Sequence, residues 1–169
     1  MNTGTQRSSA SPVGVVTTTT PILTKLQQKK DMIGIVEAHR IPYIATASPS
    51  FPLDLYDKVR MAKDIHGPRY MEVHAPCPPG WGFPNKDLVK MGKLAVDAGV
   101  HVLFEIREGK LRLTSRSLTV AKKGRTKTVE EYVKAQNRFR KITPEQIDEL
   151  QRFTDERWEE LLERHEKAA

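Results

Sequence analysis

At 169 residues the chain can bury one ordinary core, so a single domain is the starting expectation. Its mean hydropathy of −0.53 fits a soluble protein, and no window approaches the ~18 apolar residues that a membrane helix needs. A single cysteine excludes an internal disulfide, and with no apolar signal-peptide core at the start the expected setting is cytoplasmic. The net charge of +7 is uneven. Residues 107–141 hold 12 Lys/Arg against 3 acids, and residues 142–169 hold 4 against 9. A solvated basic stretch beside an acidic helix accounts for this, as does a docking face for an acidic partner, a phosphorylated cofactor or nucleic acid.

Residues 1–30 are rich in Ser, Thr, Gly and Pro, with the run Thr17-Thr18-Thr19-Thr20-Pro21, and cannot build a core of their own. Residues 31–39 follow with a helical pattern that places Met32, Ile35, Val36 and His39 on one face. Tyr43-Ile44-Ala45-Thr46-Ala47 reads as a strand between Pro42 and Pro49. Pro52 opens a helix over 53–65 with Leu55, Val59 and Ala62 inward, and Gly67-Pro68 ends it. Tyr70-Met71-Glu72-Val73-His74-Ala75 is a second strand, and Asn85 caps a helix that stops at Gly99.

This strand–helix–strand order predicts an α/β fold with parallel strands and crossover helices. Ligands of such sheets sit beyond the carboxyl ends of the strands, where the loops Ser48-Pro49-Ser50-Phe51 and Pro76 to Phe83 lie. A hairpin over 102–106 and 110–114 follows, then a basic loop at 122–127 and a helix over 129–139. The last helix starts at Thr143-Pro144-Glu145-Gln146 with a capping box. It buries Ile147, Leu150, Thr154, Trp158, Leu161 and Leu162. The chain thus divides into a loop segment at 1–30, an α/β portion at 31–115, and a basic loop with C-terminal helices at 116–169.

Cys77, in His74-Ala75-Pro76-Cys77-Pro78-Pro79-Gly80-Trp81, is a packed free thiol or one ligand of a site completed elsewhere. Its loop is stiffened by prolines and carries aromatic cover in Trp81 and Phe83. Asn2-Thr3-Gly4 is a frayed terminus or a turn that lets backbone approach a cofactor. His39, His66, His74, His101 and His165 show no metal-ligand spacing.

The segments Met1-Asn2-Thr3-Gly4-Thr5-Gln6-Arg7-Ser8-Ser9, Ile41-Pro42-Tyr43-Ile44-Ala45-Thr46-Ala47-Ser48, His66-Gly67-Pro68-Arg69-Tyr70, Ala75-Pro76-Cys77-Pro78-Pro79-Gly80-Trp81, and Val129-Glu130-Glu131-Tyr132 with Gln136-Asn137-Arg138-Phe139 carry a resemblance. Together they resemble the C-terminal part of the β subunit of 2-oxoacid:ferredoxin oxidoreductases, most closely the pyruvate:ferredoxin branch. The resemblance implies the C-terminal half of a thiamine-diphosphate-binding fold. It also implies oxidative decarboxylation of pyruvate to acetyl-CoA with reduction of ferredoxin, or the reverse. By resemblance Asn2 is catalytic, and Asn2, Thr3 and Gly4 belong to the thiamine diphosphate site. Cys77 matches one of four cysteine ligands of the four-iron–four-sulfur cluster nearest the thiamine. The Gly-Asp-Gly motif that holds diphosphate and magnesium, and the other three cysteines, are absent, so the chain is expected to be a split or truncated subunit.

The partners implied are the upstream half of the β subunit, the α, γ and δ-type subunits, ferredoxin, CoA and pyruvate, with no membrane and no specific nucleic acid. A branched-chain 2-oxoacid or oxalate oxidoreductase is the alternative within the family. A nucleic-acid-binding module using residues 107–141 is the alternative outside it. Alone, the chain is expected to be inactive. Residues 1–30 are expected to order only beside the missing half, because they carry little apolar surface to offset an ordering cost of about 1–2 kcal/mol per residue. Pro78 and Pro79 lack N–H donors, which favours a low cluster potential.

Overall fold

The computed structural model describes residues 6–168. Seven helices and four strands follow one another: α1 (Met32–Glu37), β1 (Tyr43–Ala47), α2 (Pro52–Asp64), β2 (Arg69–Val73), α3 (Pro78–Trp81), α4 (Leu88–Asp97), β3 (Phe104–Arg107), β4 (Lys110–Leu113), α5 (Ser115–Lys123), α6 (Val129–Lys134) and α7 (Pro144–Lys167). The strands form one sheet in the order β2-β1-β3-β4. The α/β class is as the sequence predicts, but only β1 and β2 run parallel, with Tyr43 opposite Arg69 and Ala47 opposite Val73. The β3–β4 hairpin joins the same sheet, and β3 runs antiparallel to β1 with Ile44 opposite Ile106. A two-residue turn at Glu108-Gly109 returns the chain directly, so no crossover helix is needed.

Two apolar clusters flank this frame. One packs Ile44, Phe104, Ile106, Leu111, Leu113 and Val120 against Ile33 of α1 and Trp158 and Leu161 of α7. The other gathers Val13, Val15, Trp81, Phe83, Met91, Tyr132, Phe139 and Leu150. Thr143 accepts from Gln146 N at the start of α7, and the Gln146 side chain reaches back, completing the capping box.

Four local readings are corrected. In α1 the buried residue is Ile33, and Ile35 faces solvent. In α2 the buried position is Lys58, while Val59 faces outward. The Lys58 ammonium donates to Asp54 Oδ2 at 2.7 Å, Thr46 O at 2.8 Å and Thr114 Oγ1 at 2.7 Å. Burial lowers its pKa, against the opposing pull of Asp54. Lys122 and Lys123 occupy the last turn of a helix, α5, rather than a loop, where cations complement the helix dipole. The stretch 129–139 breaks after α6 into a separate 3-10 turn, Asn137–Phe139.

Within residues 6–30 the packing exceeds what composition predicts. Val13, Val15 and Val16 are buried, with Val13 and Val15 inserted among aromatics contributed by later parts of the chain. Gly14 at φ +81° keeps the backbone flat against Ile142, whose Cδ1 would lie 2.5 Å from any added Cβ. Gly14 N donates to Lys25 O, Lys25 N to Val15 O, and Val16 N to Arg138 O. The buried Lys25 ammonium donates to Ser11 O at 2.9 Å, Gln28 O at 3.2 Å and Gln27 O. The segment has no core of its own, yet it completes one and its turns are held by a lysine in a cage of carbonyls.

Candidate functional site at the carboxyl ends of the parallel strands

β1 and β2 run parallel, so the loops after them lie at one edge of the sheet. His74 N donates to Ala47 O at 2.8 Å and ties the two exits together. After β1, Ser48 O accepts from Phe51 N in a tight turn, with Ser48 and Ser50 both buried. α4 lies so close that a Cβ at Gly92 would stand 2.0 Å from Ser50 Oγ. Ser50 Oγ is buried without a hydrogen-bond partner.

After β2, Pro76 is buried and Cys77 is the N-cap residue of α3, half-buried. Pro78 at the first turn supplies a fixed φ for helix initiation. Trp81 N donates to Cys77 O at 2.8 Å and Gly82 N to Pro78 O at 2.9 Å, so the cysteine sits on a closed turn. Gly82 has φ +72°, and a Cβ there would come within 2.7 Å of Asn137 Cβ. This contact, with Asn137 N donating to Gly82 O at 3.3 Å, presses the 3-10 turn 137–139 onto the cysteine turn.

A column of rings runs through the site. His101 stacks on His74 at 4.8 Å, and His74 meets Trp81 at 5.5 Å. The Arg138 guanidinium lies 3.7 Å above the Trp81 ring. His101 Nε2 is 3.1 Å from Ala47 O; a carbonyl only accepts, so Nε2 carries the proton. Burial, followed by the charges of Arg138 and Lys29, pushes the His74 pKa down to about 3. Burial, His74 and Lys29 hold His101 well below its ordinary value. Both rings are therefore neutral near pH 7. His74 keeps some surface as a residue, but its Nδ1 is inaccessible and without a partner, as is the buried Trp81 Nε1.

Of the residues singled out by sequence, Asn2, Thr3 and Gly4 lie outside the described residues. Cys77 lies at the carboxyl-end edge of the parallel strands, packed against the cluster that holds Trp81 and Phe83. Among the described residues no three His, Cys, Asp or Glu side chains converge to hold a metal; the Cys77 sulfur is of the type that binds iron as one ligand among several. Unpaired Ser50 Oγ, His74 Nδ1 and Trp81 Nε1 at this edge are the kind of orphaned groups that an absent ligand or chain satisfies. Sequence reasoning gave Arg138 no role at the site; nothing local in Gln136-Asn137-Arg138-Phe139 says that the strap folds back over Trp81.

No family model matches the sequence. Comparison with curated proteins is informative. The chain is 45% identical over 165 residues to the pyruvate synthase subunit PorB of Methanothermobacter marburgensis, covering 95% of this chain and 55% of that protein. The resemblance to β subunits of 2-oxoacid:ferredoxin oxidoreductases therefore holds. The PorB subunit of Thermotoga maritima is 42% identical over 171 residues, 96% of this chain and 51% of the relative. The ketoisovalerate oxidoreductase subunit VorB of Pyrococcus horikoshii is 41% identical over 165 residues, 95% of this chain and 52% of the relative. The chain spans about half the length of the curated relatives it matches. Among the described residues no helix is long and apolar enough to cross a membrane.

Proposed function

We propose that the chain serves as part of the β subunit of a cytoplasmic pyruvate:ferredoxin oxidoreductase. In this reading Asn2, with Thr3 and Gly4, contributes to the thiamine diphosphate site, whose magnesium is held by other parts of the subunit. Cys77 supplies one thiolate to a four-iron–four-sulfur cluster. The observation that carries the reading is 45% identity to a pyruvate synthase subunit along 95% of the chain, which includes the closed turn presenting Cys77.

When bound, the thiamine supplies the carbanion chemistry of 2-oxoacid decarboxylation and the cluster supplies one-electron transfer. The chain's own residues do simpler things. α3 fixes the cysteine; Trp81, Phe83 and Val15 exclude water behind it; the neutral His74–His101 pair fills the space between the strand exits without adding charge. The remaining length of the subunit pairs along the free edge of β2 and covers Leu53, Tyr56 and Val59 on the outer face of α2. CoA, ferredoxin and the α, γ and δ-type subunits are partners of the assembled enzyme.

The test is reconstitution with a polypeptide carrying the Gly-Asp-Gly motif and three cysteines. Cys77→Ser should then lose cluster iron and ferredoxin reduction, and a mutant complex with full cluster signal would refute the reading. A ketoisovalerate oxidoreductase remains the second reading because VorB relatives match at 41–42%; turnover of 2-oxoisovalerate in preference to pyruvate would select it, and oxalate belongs in the same assay. The nucleic-acid reading loses support from charge pairing within 107–141. Arg116 binds Asp97, Arg125 binds Asp155, and Lys127 and Lys134 bind Glu131 and Glu130.

A further inference from the structure

Arginine is almost never fully buried unless paired with an anion. Arg138 is 5% exposed, and none of the partners the structure gives it is anionic. Its Nε donates to Gln136 Oε1 at 2.8 Å and its Nη2 to Tyr132 OH at 3.0 Å. The faces of Trp81 and Phe139 lie 3.7 Å and 5.0 Å from the guanidinium carbon. No carboxylate forms an ion pair with it among the described residues, and residues 1–5 contain no acidic side chain. Arginine does not discharge in proteins, so a full positive charge is held in the apolar cluster behind the Cys77 turn. Desolvation there is costly unless a negative charge comes close.

The geometry says where that charge belongs. The guanidinium covers Trp81, which sits one helical turn after Cys77 and donates its N–H to the Cys77 carbonyl. His74 also meets the Trp81 ring, at 5.5 Å, and is neutral and unable to compensate. The Trp81 indole N–H, buried and unpartnered, is a second free donor on the same turn. Burial acts against the charged guanidinium, and Tyr132 and, after it, the Cys77 sulfur as thiolate act in its favour.

We propose that Arg138 is a positioning residue that supplies the counter-charge to the anionic centre carried on Cys77. Its guanidinium, locked by Gln136, Tyr132 and Trp81, raises the reduction potential of the ligated cluster by favouring the state with one more electron. The inference rests on the reading of Cys77 as a cluster ligand. The prolines after Cys77 withhold backbone donors, which lowers the potential; a fixed cation opposes them, because a nearby positive charge stabilises the more negative state. Lysine at 138 would keep the charge but lose the planar fork that two neutral acceptors and an indole face hold in register.

The experiment is an EPR-monitored redox titration of the cluster in the reconstituted complex, with iron content measured alongside. Arg138→Gln should keep its iron and shift the reduction equilibrium at least tenfold toward the oxidised state, about 59 mV more negative for one electron. Arg138→Lys should recover most of the shift. Tyr132→Phe removes one tether while keeping the ring, should move the potential in the same direction by less, and decides the matter if Arg138→Gln does not assemble. An unmoved potential with an intact cluster in Arg138→Gln, or in Tyr132→Phe where Arg138→Gln does not assemble, would overturn the role of Arg138 and leave the cluster reading standing. Full cluster iron in Cys77→Ser would overturn both.

Discussion

The two edges of the sheet are finished differently. At the β4 edge, α7 packs against the strand, Leu111 and Leu113 are buried, and Trp158 and Leu161 close the cluster. At the β2 edge the strand pairs, among the described residues, only with β1, and Arg69 and Val73 at its ends are exposed. α2, packed over β1, turns Leu53, Tyr56 and Val59 outward at 78%, 58% and 52% exposure, while its inner face holds the Lys58–Asp54 pair. The antiparallel half closes with what lies next to it in sequence. The parallel half is of the kind that is normally covered by further elements, and about half the length of the relatives lies outside this chain. The cysteine turn stands at the carboxyl end of the open half, so the candidate site and the unfinished surface coincide.

The largest expected effect is on the parallel half and comes from acid. His74 and His101 are held neutral, with folded pKa values below the ordinary 6.5, His74 at about 3. Between pH 6.5 and about 3 the unfolded chain binds more protons than the folded one, so stability falls as pH falls. Stability is full above 6.5 and is lost toward pH 3. Denaturant midpoints measured across this window should drop, and His74→Phe should flatten the drop. A midpoint independent of pH over the window would show that the histidines are not buried as described.

On the sealed edge, Trp158→Ala should cost about 3–5 kcal/mol, read as a lowered denaturation midpoint, because the ring lies in the cluster with Phe104, Ile106 and Leu111. A loss under 1 kcal/mol would show that α7 is not what closes that edge. Smaller, at about 1–3 kcal/mol, is the expected effect of Gly92→Ala. The added methyl would meet Ser50 Oγ at 2.0 Å and Ser50 Cβ at 2.7 Å, forcing α4 away from the loop after β1. A neutral Gly92→Ala would mean that this loop yields freely.

Much of the sealed half was legible in the sequence. The capping box at Thr143 and the stripe Leu150, Thr154, Trp158 and Leu161 are local patterns, and the structure follows them. β1 was read to the residue, because Pro42 and Pro49 bracket it. The errors lie where tertiary context overrides a local pattern. Val59 fits an inward helical position, but the inner face of α2 meets Thr46 O and Thr114 Oγ1, which call for a donor, and Lys58 supplies it. Val13 and Val15 are too few to announce a core, since the aromatics that receive them come from residues far along the chain. Cys77 was visible as an isolated thiol on a stiff turn. Arg138 was not, because its place over Trp81 depends on a strap that returns 57 positions later in the chain.

The smallest expected effect on the chain alone separates the two edges most sharply. Leu53→Gln, Tyr56→Gln and Val59→Gln, made together, replace exposed apolar groups on α2 with a good helix former. Each should change stability by no more than about 0.5 kcal/mol, because none of the three is buried. Under the proposed function the same triple should weaken association with the polypeptide carrying the Gly-Asp-Gly motif and three cysteines, since that surface is the one proposed to be covered. Size-exclusion and pull-down measurements of the reconstituted complex read the second effect, and denaturant melts of the chain read the first. A large loss in the melts would mean that α2 is already packed on this side. Undiminished assembly would mean that the partner polypeptide reaches the cysteine turn by another route, leaving the outer face of α2 as plain surface.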